Sequence, residues 1–361
     1  MYDKELFIEK RRLAIDEEPY FIADVGANHD GSLDRAFKLI ELAKESGADA
    51  VKFQNFIASK IVSKYGFENL NSNSTHQSGW KKSVYETYED ASISQEWTKS
   101  IVEKCAETDI TYFTSPYDFG SVDHVEEFLD VYKIGSGDIT WLEILEYIAK
   151  KNKTVLLASG AASMEDVDRA VGTILSHNPK LCLMQCNTNY STDSNKSSFA
   201  NLNVLRQFSK EYPGMVLGLS DHSIDPIIAP LVAIGYGAKV IEKHFTLNKN
   251  FAGPDHSFAL NPEELKTMIE FVRKADESKG IGKKEILSVE KELSIFAKRS
   301  LQATTKINKG DKLELGVNFE ILRPGKRSRG IDPRFISKVN GKKSNSIILN
   351  GNGIRFSDIE N

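Results

Sequence analysis

From about residue 20 to residue 280, short apolar segments alternate with amphipathic ones, and only a few folds satisfy this alternation. The apolar segments have the length of single strands and end in polar residues. They predict eight strands, at 20–26, 49–54, 111–115, 131–137, 154–160, 181–187, 215–222 and 238–245. Strands that are apolar along most of their length fit a parallel sheet covered on both faces. Eight strand–helix units over roughly 260 residues predict a (β/α)₈ TIM barrel.

An open, doubly wound sheet is the alternative for the same alternation. Dinucleotide-binding sheets of that class carry a GxGxxG motif after the first strand, and no such motif follows residues 20–26. The barrel is therefore the favoured interpretation. In a parallel barrel the functional side chains gather at the C-terminal ends of the strands, so the candidate site is sought there.

Two regions depart from the alternation. Residues 57–95 are polar and rich in Ser and Asn, which predicts a long, partly ordered loop on the active face of the barrel.

We predict a barrel domain at 1–280, a helix or linker at 281–298 and a small β-rich domain at 299–361. A domain of about 60 residues has little core of its own, so we expect it to dock on another surface.

The composition excludes several classes of protein. A formal net charge of −4 over 361 residues does not suggest nucleic-acid binding. No apolar run is long enough to cross a bilayer, and residues 1–12 lack the apolar centre of a secretory signal, so we expect a cytoplasmic protein with no membrane partner. Cys105, Cys182 and Cys186 predict buried thiols, because no second Cys or His pair follows at the spacing of a zinc site.

Two histidines close the last two predicted strands, which are neighbours in a barrel. Neutral imidazole binds divalent transition metals, and oxygen-rich surroundings suit Mn²⁺ or Mg²⁺. A single histidine at a strand end is more often an ordinary core residue, but two on adjacent strands favour a metal site. We therefore predict that His222 and His244 bind Mn²⁺ or Mg²⁺.

Lys52 and Lys133 stand among apolar residues at the ends of the second and fourth predicted strands. A lysine is rarely buried without a partner. One interpretation is an anionic ligand with a phosphate and a carboxylate, which the nearby serine- and glycine-rich strand ends would also bind. The alternative is an ordinary ion pair with Glu242 or Asp24.

Four stretches of this sequence resemble one known family, in the same order along the chain. They read FIADVGANHDGSLDRAFKLIELAKESGADAVKFQ, YKIGSGDIT, GLSDHSIDPIIAPLVAIGYGAKVIEKHFTLNKNFAGPDHSFAL and LRPG. Together they resemble the sialic acid synthase family across roughly residues 20–361. The resemblance implies a TIM barrel followed by an antiparallel, antifreeze-like (SAF) domain. It also implies a transferase that condenses phosphoenolpyruvate with an N-acetylated hexose, such as N-acetylmannosamine, to give a nine-carbon α-keto acid and phosphate.

The resemblance further implies roles for individual residues. His222 and His244 match the metal ligands of the family. The positions that hold phosphoenolpyruvate match Lys52, Lys133, Ser136, Ser159 and Ser220. The positions that contact the sugar match Gln54, Tyr190 and Asp255.

Three further residues complete the implied site. Arg323 matches an arginine that the small domain inserts into the active site of the partner subunit, which implies a domain-swapped homodimer. Asp24 and Asp138 are candidates for proton transfer or for binding sugar hydroxyls. The family commonly has Glu at these two positions, so each carboxylate here reaches one methylene less far.

Other departures also fall on the sugar side. After the sixth strand the family often reads CTxxYP, whereas this chain reads CNTNYST. An asparagine of some members aligns with Thr188, which is therefore a candidate for substrate binding. Lys326, Arg327 and Arg329 stand where the family often has Gly or Asn. The reaction class is accordingly better indicated than the identity of the sugar, which is N-acetylmannosamine or a 2,4-diacetamido trideoxyhexose leading to legionaminic- or pseudaminic-type acids.

Two rival functions remain open at this level. One is another keto-acid aldolase on the same barrel, either metal-dependent or with Lys133 forming a Schiff base with pyruvate. Two metal-type histidines speak against the imine version, because imine aldolases need no metal. The other rival is a non-catalytic carbohydrate-binding protein, for which two converging lysines and two histidines have no evident use.

Overall fold

The structure is a computed structural model that describes residues 1–66, 82–188 and 199–360. Tyr190, a predicted sugar contact, lies outside these residues. The chain divides into two compact units, Met1–Gly280 and Ile281–Asn361. Within the described ranges, no helix has both the length and the apolar character needed to cross a membrane.

The first unit contains a closed barrel of eight parallel strands. Two short strands come first, β1 (Glu5–Ile8) and β2 (Arg11–Ala14). The barrel strands are β3 (Tyr20–Gly26), β4 (Ala50–Asn55), β5 (Thr111–Pro116), β6 (Val131–Ile134), β7 (Thr154–Ala158), β8 (Leu181–Cys186), β9 (Val216–Asp221) and β10 (Ala238–His244). Strands that follow one another along the chain are neighbours in the ring, and β10 pairs with β3 to close it. The predicted TIM barrel is confirmed.

Helices connect the strands, and most of them cover the outside of the ring. They are α1 (Leu33–Glu45), α2 (Ala58–Ile61), α3 (Val84–Ala91), α4 (Trp97–Thr108), α5 (Phe119–Val125), α6 (Leu142–Lys150), α7 (Met164–Leu175), α8 (Val204–Glu211), α9 (Ile228–Gly235) and α10 (Pro262–Ser278). In α1 the buried residues Ala36, Leu39, Ile40 and Ala43 recur at helical spacing. The Ser32 side chain begins this helix by accepting a hydrogen bond from the Arg35 N–H.

An N-terminal hairpin covers the end of the barrel where the strands begin. It is formed by the antiparallel strands β1 and β2, and Leu6, Ile8 and Leu13 belong to the barrel's buried core. The Thr154 hydroxyl, at the first residue of β7, donates to the Phe7 carbonyl at 2.7 Å. The hairpin therefore covers the end of the barrel that lies opposite the C-terminal ends of the strands.

Two predicted segments differ in detail. The fourth predicted strand was expected to extend to Gly137 but ends at Ile134, because Ser136–Asp138 forms a 3₁₀ turn. The predicted loop at 57–95 contains α2 and α3. Its residues 67–81 lie outside the part of the chain that the structure describes.

The second unit has a small core of its own. It contains the helix α11 (Lys291–Phe296) and the antiparallel strands β11 (Ser300–Ala303) and β12 (Phe319–Leu322). Leu301, Phe319, Val339 and Ile354 are among its buried residues. This unit is β-containing and antiparallel, and its assignment as an antifreeze-like domain stays a prediction.

Candidate active site

The C-terminal ends of the barrel strands surround a cavity of about 370 Å³. Side chains project to alternate faces of a strand, so residues two positions apart point the same way. Three strand ends contribute pairs with this spacing: Lys52 and Gln54, Ser220 and His222, and Glu242 and His244. The cavity is also lined by Asp24, Lys133, Ser136, Asp138, Thr188 and Asp255.

The two predicted lysines lie in one buried network with two carboxylates. Lys52 Nζ lies 2.8 Å from Asp24 Oδ2, and Lys133 Nζ lies 3.0 Å from Glu242 Oε1. The Ser220 hydroxyl donates to the same Glu242 oxygen at 3.0 Å. The ion pairs considered as the alternative interpretation are therefore present, and they form the floor of the cavity itself.

The protein environment shifts the pKa values of the two carboxyl groups of this network in opposite directions. Burial opposes ionisation of Glu242, but Lys133 and Lys52 outweigh it and lower the pKa of that carboxyl to about 2. At Asp24 burial dominates and raises the pKa, against the opposing effect of Lys52. Glu242 is thus a fixed negative charge, whereas Asp24 is better suited to exchange a proton.

The imidazole rings of His222 and His244 lie next to each other in the cavity wall, with ring centroids 5.2 Å apart. Burial lowers the pKa of His222 to about 3 and that of His244 to about 4, so both imidazoles are neutral near pH 7. His222 Nδ1 lies 3.0 Å from the Asn187 carbonyl oxygen. A hydrogen bond donated from Nδ1 leaves the lone pair on Nε2, which is the form that coordinates a metal ion.

The polar atoms beside these histidines fit a divalent cation. His244 Nδ1, Asp24 Oδ1 and Glu242 Oε2 are buried and have no hydrogen-bond partner in the described part of the chain. Buried polar atoms are nearly always satisfied, so these unpaired atoms indicate that the cavity holds a ligand or water. Among the described residues, no three His, Cys, Asp or Glu side chains converge on one point. A cation held by two imidazoles would therefore take further ligands from water or substrate.

Three predicted residues converge on Gly26, at the end of β3. A Cβ at this position would lie 3.2 Å from Asp255 Oδ2, 3.3 Å from His244 Nδ1 and 3.4 Å from Gln54 Nε2. Gly26 also has a positive φ of 50°, which side-chain-bearing residues rarely adopt. Only glycine combines this backbone with room for three polar groups, so two of the predicted sugar contacts, Gln54 and Asp255, lie together beside His244.

A second convergence lies at Gly160, just after β7. A Cβ there would lie 2.6 Å from Thr188 Cγ2 and 2.8 Å from Ser136 Oγ, and the Gly160 N–H donates to Ser136 Oγ at 2.9 Å. Ser159 does not line the main cavity but a neighbouring cavity of about 220 Å³. Its hydroxyl donates to the Met184 carbonyl at 3.0 Å, and the preceding residue, Ala158, lines the main cavity instead.

Asp138 lies at the edge of the cavity, in the 3₁₀ turn after β6. Burial raises the pKa of its carboxyl to about 6. A carboxyl with a pKa near the working pH can both donate and accept a proton. Burial thus moves the acidity of this carboxyl towards the range that suits proton transfer, and its role stays a prediction.

One buried histidine outside the cavity holds the loop that carries Asp255. His256 Nδ1 lies 2.6 Å from the Thr246 hydroxyl, and its Nε2 lies 3.0 Å from Asp30 Oδ1. Asp30 follows β3 and His256 follows β10, so this side chain joins two loops at the cavity edge. Sequence reasoning had not singled out His256.

Glu242 is the site residue that sequence reasoning undervalued, because it was considered only as an ion-pair partner. The available signal was its spacing, since it stands two residues before His244 on the same strand face. Arg323 lies in the second unit, directly after β12, and its side chain is exposed. Its predicted role in a partner's site stays a prediction.

Comparisons with known proteins agree with this geometry. The profile of the NeuB family matches residues 39–284. The chain is 34% identical to the spore coat polysaccharide biosynthesis protein SpsE of Bacillus subtilis, over 98% of this chain and 96% of that protein. It is 33% identical to a pseudaminic acid synthase of Campylobacter jejuni, over 96% of this chain and 98% of that protein.

A solved structure of similar fold is the N-acetylneuraminic acid (sialic acid) synthetase of Leptospira borgpetersenii. The two superpose with a TM-score of 0.71 and 25% sequence identity. The match covers 80% of this chain and 95% of that one. The relatives named here make more than one sialic-acid-type product, so the comparisons indicate a reaction class rather than one sugar.

Proposed function

The chain belongs to the NeuB family, and on that premise we propose that it is a nonulosonate synthase that uses phosphoenolpyruvate. It condenses phosphoenolpyruvate with an N-acetylated hexose, either N-acetylmannosamine or a 2,4-diacetamido trideoxyhexose. The products are a nine-carbon α-keto acid and inorganic phosphate. The pseudaminic acid and sialic acid synthases among its relatives support this reaction class.

The observation that carries the proposal is the meeting of Lys52, Lys133 and Ser220 at Glu242 on the cavity floor. Phosphoenolpyruvate carries a phosphate and a carboxylate, and two buried ammonium groups can neutralise them where water is scarce. Ser220 and Ser136 add hydroxyl donors at the same wall. A buried pair of lysines that faces a cavity is otherwise an expensive arrangement.

The reaction forms one C–C bond and one C–O bond, and it breaks one C–O bond. The C3 carbon of phosphoenolpyruvate attacks the aldehyde carbon of the open-chain sugar, whose oxygen takes up a proton and becomes a hydroxyl. Water adds its oxygen to C2 and loses a proton. The bond between C2 and the bridging oxygen of the phosphate group then breaks. Phosphate leaves with that oxygen, and C2 becomes the keto carbon. Lys52 and Lys133 stabilise the negative charge on phosphate as it leaves.

Two carboxyl groups are suited to the proton transfers. Asp138, whose pKa burial raises to about 6, can supply a proton to the aldehyde oxygen and recover one. Asp24, whose pKa burial also raises, lies 2.8 Å from Lys52 and can receive the proton from water. Glu242, with a pKa of about 2, keeps its charge and orients Lys133 and Ser220.

We propose that His222 and His244 hold the Mn²⁺ or Mg²⁺ ion that the reaction uses. Bound there, the cation would supply Lewis-acid polarisation of the sugar aldehyde. Both imidazoles are neutral, and unsatisfied oxygens of Asp24 and Glu242 lie in the same cavity. Gln54 and Asp255 then stand beside His244 to bind sugar hydroxyls.

We propose further that the enzyme works as a homodimer in which Arg323 serves the partner's cavity. Between Ile281 and Phe296 the second unit exposes several large apolar side chains, among them Val289, Leu293 and Ile295. Exposed apolar groups that are this closely spaced usually mark an interface. Arg323 is exposed, so it is available to bind an anionic or hydroxyl-rich substrate.

Phosphate release tests the proposal directly. The purified protein is incubated with phosphoenolpyruvate, Mn²⁺ and each candidate sugar, and phosphate is measured with and without EDTA. We expect release only when a sugar is present, and its loss with EDTA. A Schiff-base aldolase would instead be inactivated by borohydride in the presence of pyruvate, and a binding protein would release no phosphate with any sugar.

A further inference from the structure

A buried ion pair lies directly behind the two histidines of the cavity. Asp221 is the last residue of β9 and is followed by His222. Lys243 precedes His244, the last residue of β10. Lys243 Nζ lies 2.8 Å from Asp221 Oδ2, and these side chains are only 1% and 5% exposed. Because successive side chains of a strand point to opposite faces, the pair lies on the outer side of the barrel while both histidines line the cavity.

The ion pair also holds the segment that follows β9. The Asp221 carboxylate accepts hydrogen bonds from the Ser223 N–H at 3.0 Å and from the Ser223 hydroxyl at 2.8 Å. Lys243 donates to the Ser223 carbonyl, and its Nζ lies 3.4 Å from the Asp225 carbonyl oxygen. Both chain neighbours of His222 are therefore tied to one ammonium group on the adjacent strand.

His222 needs this constraint more than His244 does. His244 is still paired in the sheet, opposite Asp24 of β3, whereas the pairing of β9 with β10 ends at Asp221. The backbone of His222 thus lies just beyond the sheet ladder that β9 shares with β10. Ligands of a metal site have to be held to within about 0.5 Å, and a loop does this less well than a strand. The contacts of Lys243 with the loop supply what the ladder no longer does.

Stability alone does not account for a buried pair at this place. Taking an ammonium and a carboxylate out of water costs about as much free energy as their attraction returns, and apolar side chains of similar volume are often as stable. What the network adds is geometry, because buried polar groups whose hydrogen bonds are all made fit one arrangement of the chain. Here that arrangement fixes the backbone on either side of one histidine and directly before the other.

Resting on the metal site of the proposed function, we propose that Lys243 and Asp221 are positioning residues, which hold His222 and His244 at the separation that a divalent cation requires. Neither charged side chain lines the cavity, so they act through the imidazoles and do not touch the ion. Loss of groups that orient metal ligands typically weakens metal binding ten- to a hundredfold. We therefore expect loss of the pair to weaken Mn²⁺ binding by about that factor without unfolding the barrel.

The test removes both charges together, so that neither is left buried without its partner. In the variant Asp221→Asn with Lys243→Met, Asn keeps an oxygen for the Ser223 N–H and Met has nearly the volume of Lys. The full-length protein is freed of metal with EDTA, and after the chelator is removed calorimetry measures Mn²⁺ affinity. Denaturant unfolding without metal measures stability. We expect affinity to fall about ten- to a hundredfold, and phosphate release to recover at high Mn²⁺ because both imidazoles are retained.

A second buried pair on the same strand is the matched control. Lys239 Nζ lies 2.9 Å from Asp276 Oδ1, near the start of β10. Lys239→Met with Asp276→Asn makes the same chemical change far from the histidines. It should alter stability to a similar degree and bind Mn²⁺ as the wild type does. A role of Lys243 and Asp221 in folding alone would make the two double variants behave alike.

The outcomes separate this inference from the proposed function. Wild-type Mn²⁺ affinity in the folded Asp221→Asn, Lys243→Met variant, or a loss no larger than in the control, would overturn the inference. If that variant does not fold, Asp221→Asn alone decides: a severalfold loss of affinity supports the inference, and unchanged affinity overturns it.

The wild-type protein provides the remaining distinction. Mn²⁺ binding that depends on the pair, together with no phosphate release from any sugar, would support the positioning role and remove the synthase function. Failure of the wild type to bind Mn²⁺ would remove the metal assignment and this inference together.

Discussion

Lys133 Nζ and Glu242 Oε1 lie 3.0 Å apart in the barrel interior, although 109 residues separate them in the chain. They come from β6 and β10, which stand opposite each other in the ring of eight strands. Both side chains are buried, so the pair is held where its electrostatic interaction is strong. The contact therefore spans a diameter of the barrel.

Glu242→Gln tests whether this carboxylate orients the lysines or only neutralises them. The variant removes one negative charge, so we expect phosphoenolpyruvate to bind at least as tightly. With Lys133 and Ser220 no longer aligned, kcat should fall by about tenfold or more. Steady-state kinetics with varied phosphoenolpyruvate measure both quantities.

A buried pair far from the cavity supplies the control for that variant. Lys239 lies 2.9 Å from Asp276, at the opposite end of β10 from His244. Asp276→Asn breaks this pair and should lower stability without lowering kcat. A higher KM for phosphoenolpyruvate at constant kcat in Glu242→Gln would contradict the orienting role.

His244→Ala should abolish metal-dependent turnover while the barrel stays folded. Removing one of two imidazoles leaves a cation with too few protein ligands to be held tightly. Mn²⁺ binding by calorimetry and phosphate release are the two measurements, with circular dichroism to monitor folding. His124→Ala, on α5 and hydrogen-bonded to Thr98, should bind Mn²⁺ as the wild type does. Unchanged Mn²⁺ affinity in His244→Ala would remove the metal assignment.

Asp138→Asn should stabilise the protein at neutral pH and much less at acid pH. Burial raises the pKa of Asp138 to about 6, so the folded state holds this proton more tightly than the unfolded state does. The stabilisation that protonation gives is complete below about pH 4 and is lost as the pH rises through 6. Asn cannot ionise, so the difference in unfolding free energy should grow to about 3 kcal/mol by pH 8. Denaturant unfolding across this range checks it, and a constant difference would contradict it.

His256→Ala should raise the KM for the sugar and leave the KM for phosphoenolpyruvate unchanged. His256 holds the loop of Asp255 through Thr246 and Asp30, and Asp255 lines the cavity at the proposed sugar side. His256→Gln keeps an N–H donor for Asp30 and should restore part of the affinity for sugar. Kinetics with both substrates varied distinguish this from a general loss of stability, which would affect the two KM values together.

Mixing two inactive variants tests the proposed dimer. If Arg323 serves the partner's cavity, a subunit with Arg323→Ala and one with His244→Ala form one intact site in each heterodimer. Random exchange in an equal mixture should then restore about a quarter of wild-type sites. Activity is measured after the subunits have been allowed to exchange, with each variant alone as the control. No recovery in a mixture proven to contain heterodimers would place Arg323 outside the partner's site.

Much of the fold followed from local pattern, because each apolar strand and amphipathic helix is specified by nearby residues. The predicted strand at 20–26 and β3 have the same bounds. The prediction for 131–137 ran too long, since the apolar segment continues into glycines that turn the chain after Ile134. Periodicity alone does not tell where a strand end becomes a 3₁₀ turn.

Site residues were predictable where their spacing along one strand determines which side chains face the cavity. Lys52 with Gln54 and Ser220 with His222 face the cavity because they stand two residues apart. Spacing from His244 indicates that Glu242 faces the cavity, but its pairing with Lys133 across the ring is a contact that no local pattern reveals. The packing of Phe56 against Tyr88 at the cavity also escaped prediction, because the two residues come from different segments and look unremarkable one at a time.

The hairpin of β1 and β2 covers the end of the barrel that lies opposite the cavity. Anchoring contacts such as Thr154 to Phe7 therefore lie a full strand length from the cavity. Substitutions around the cavity mouth are therefore far from the contacts that cover the other end of the barrel. The architecture separates the residues that line the cavity from those that hold the hairpin in place, so the first set can change without disturbing the second.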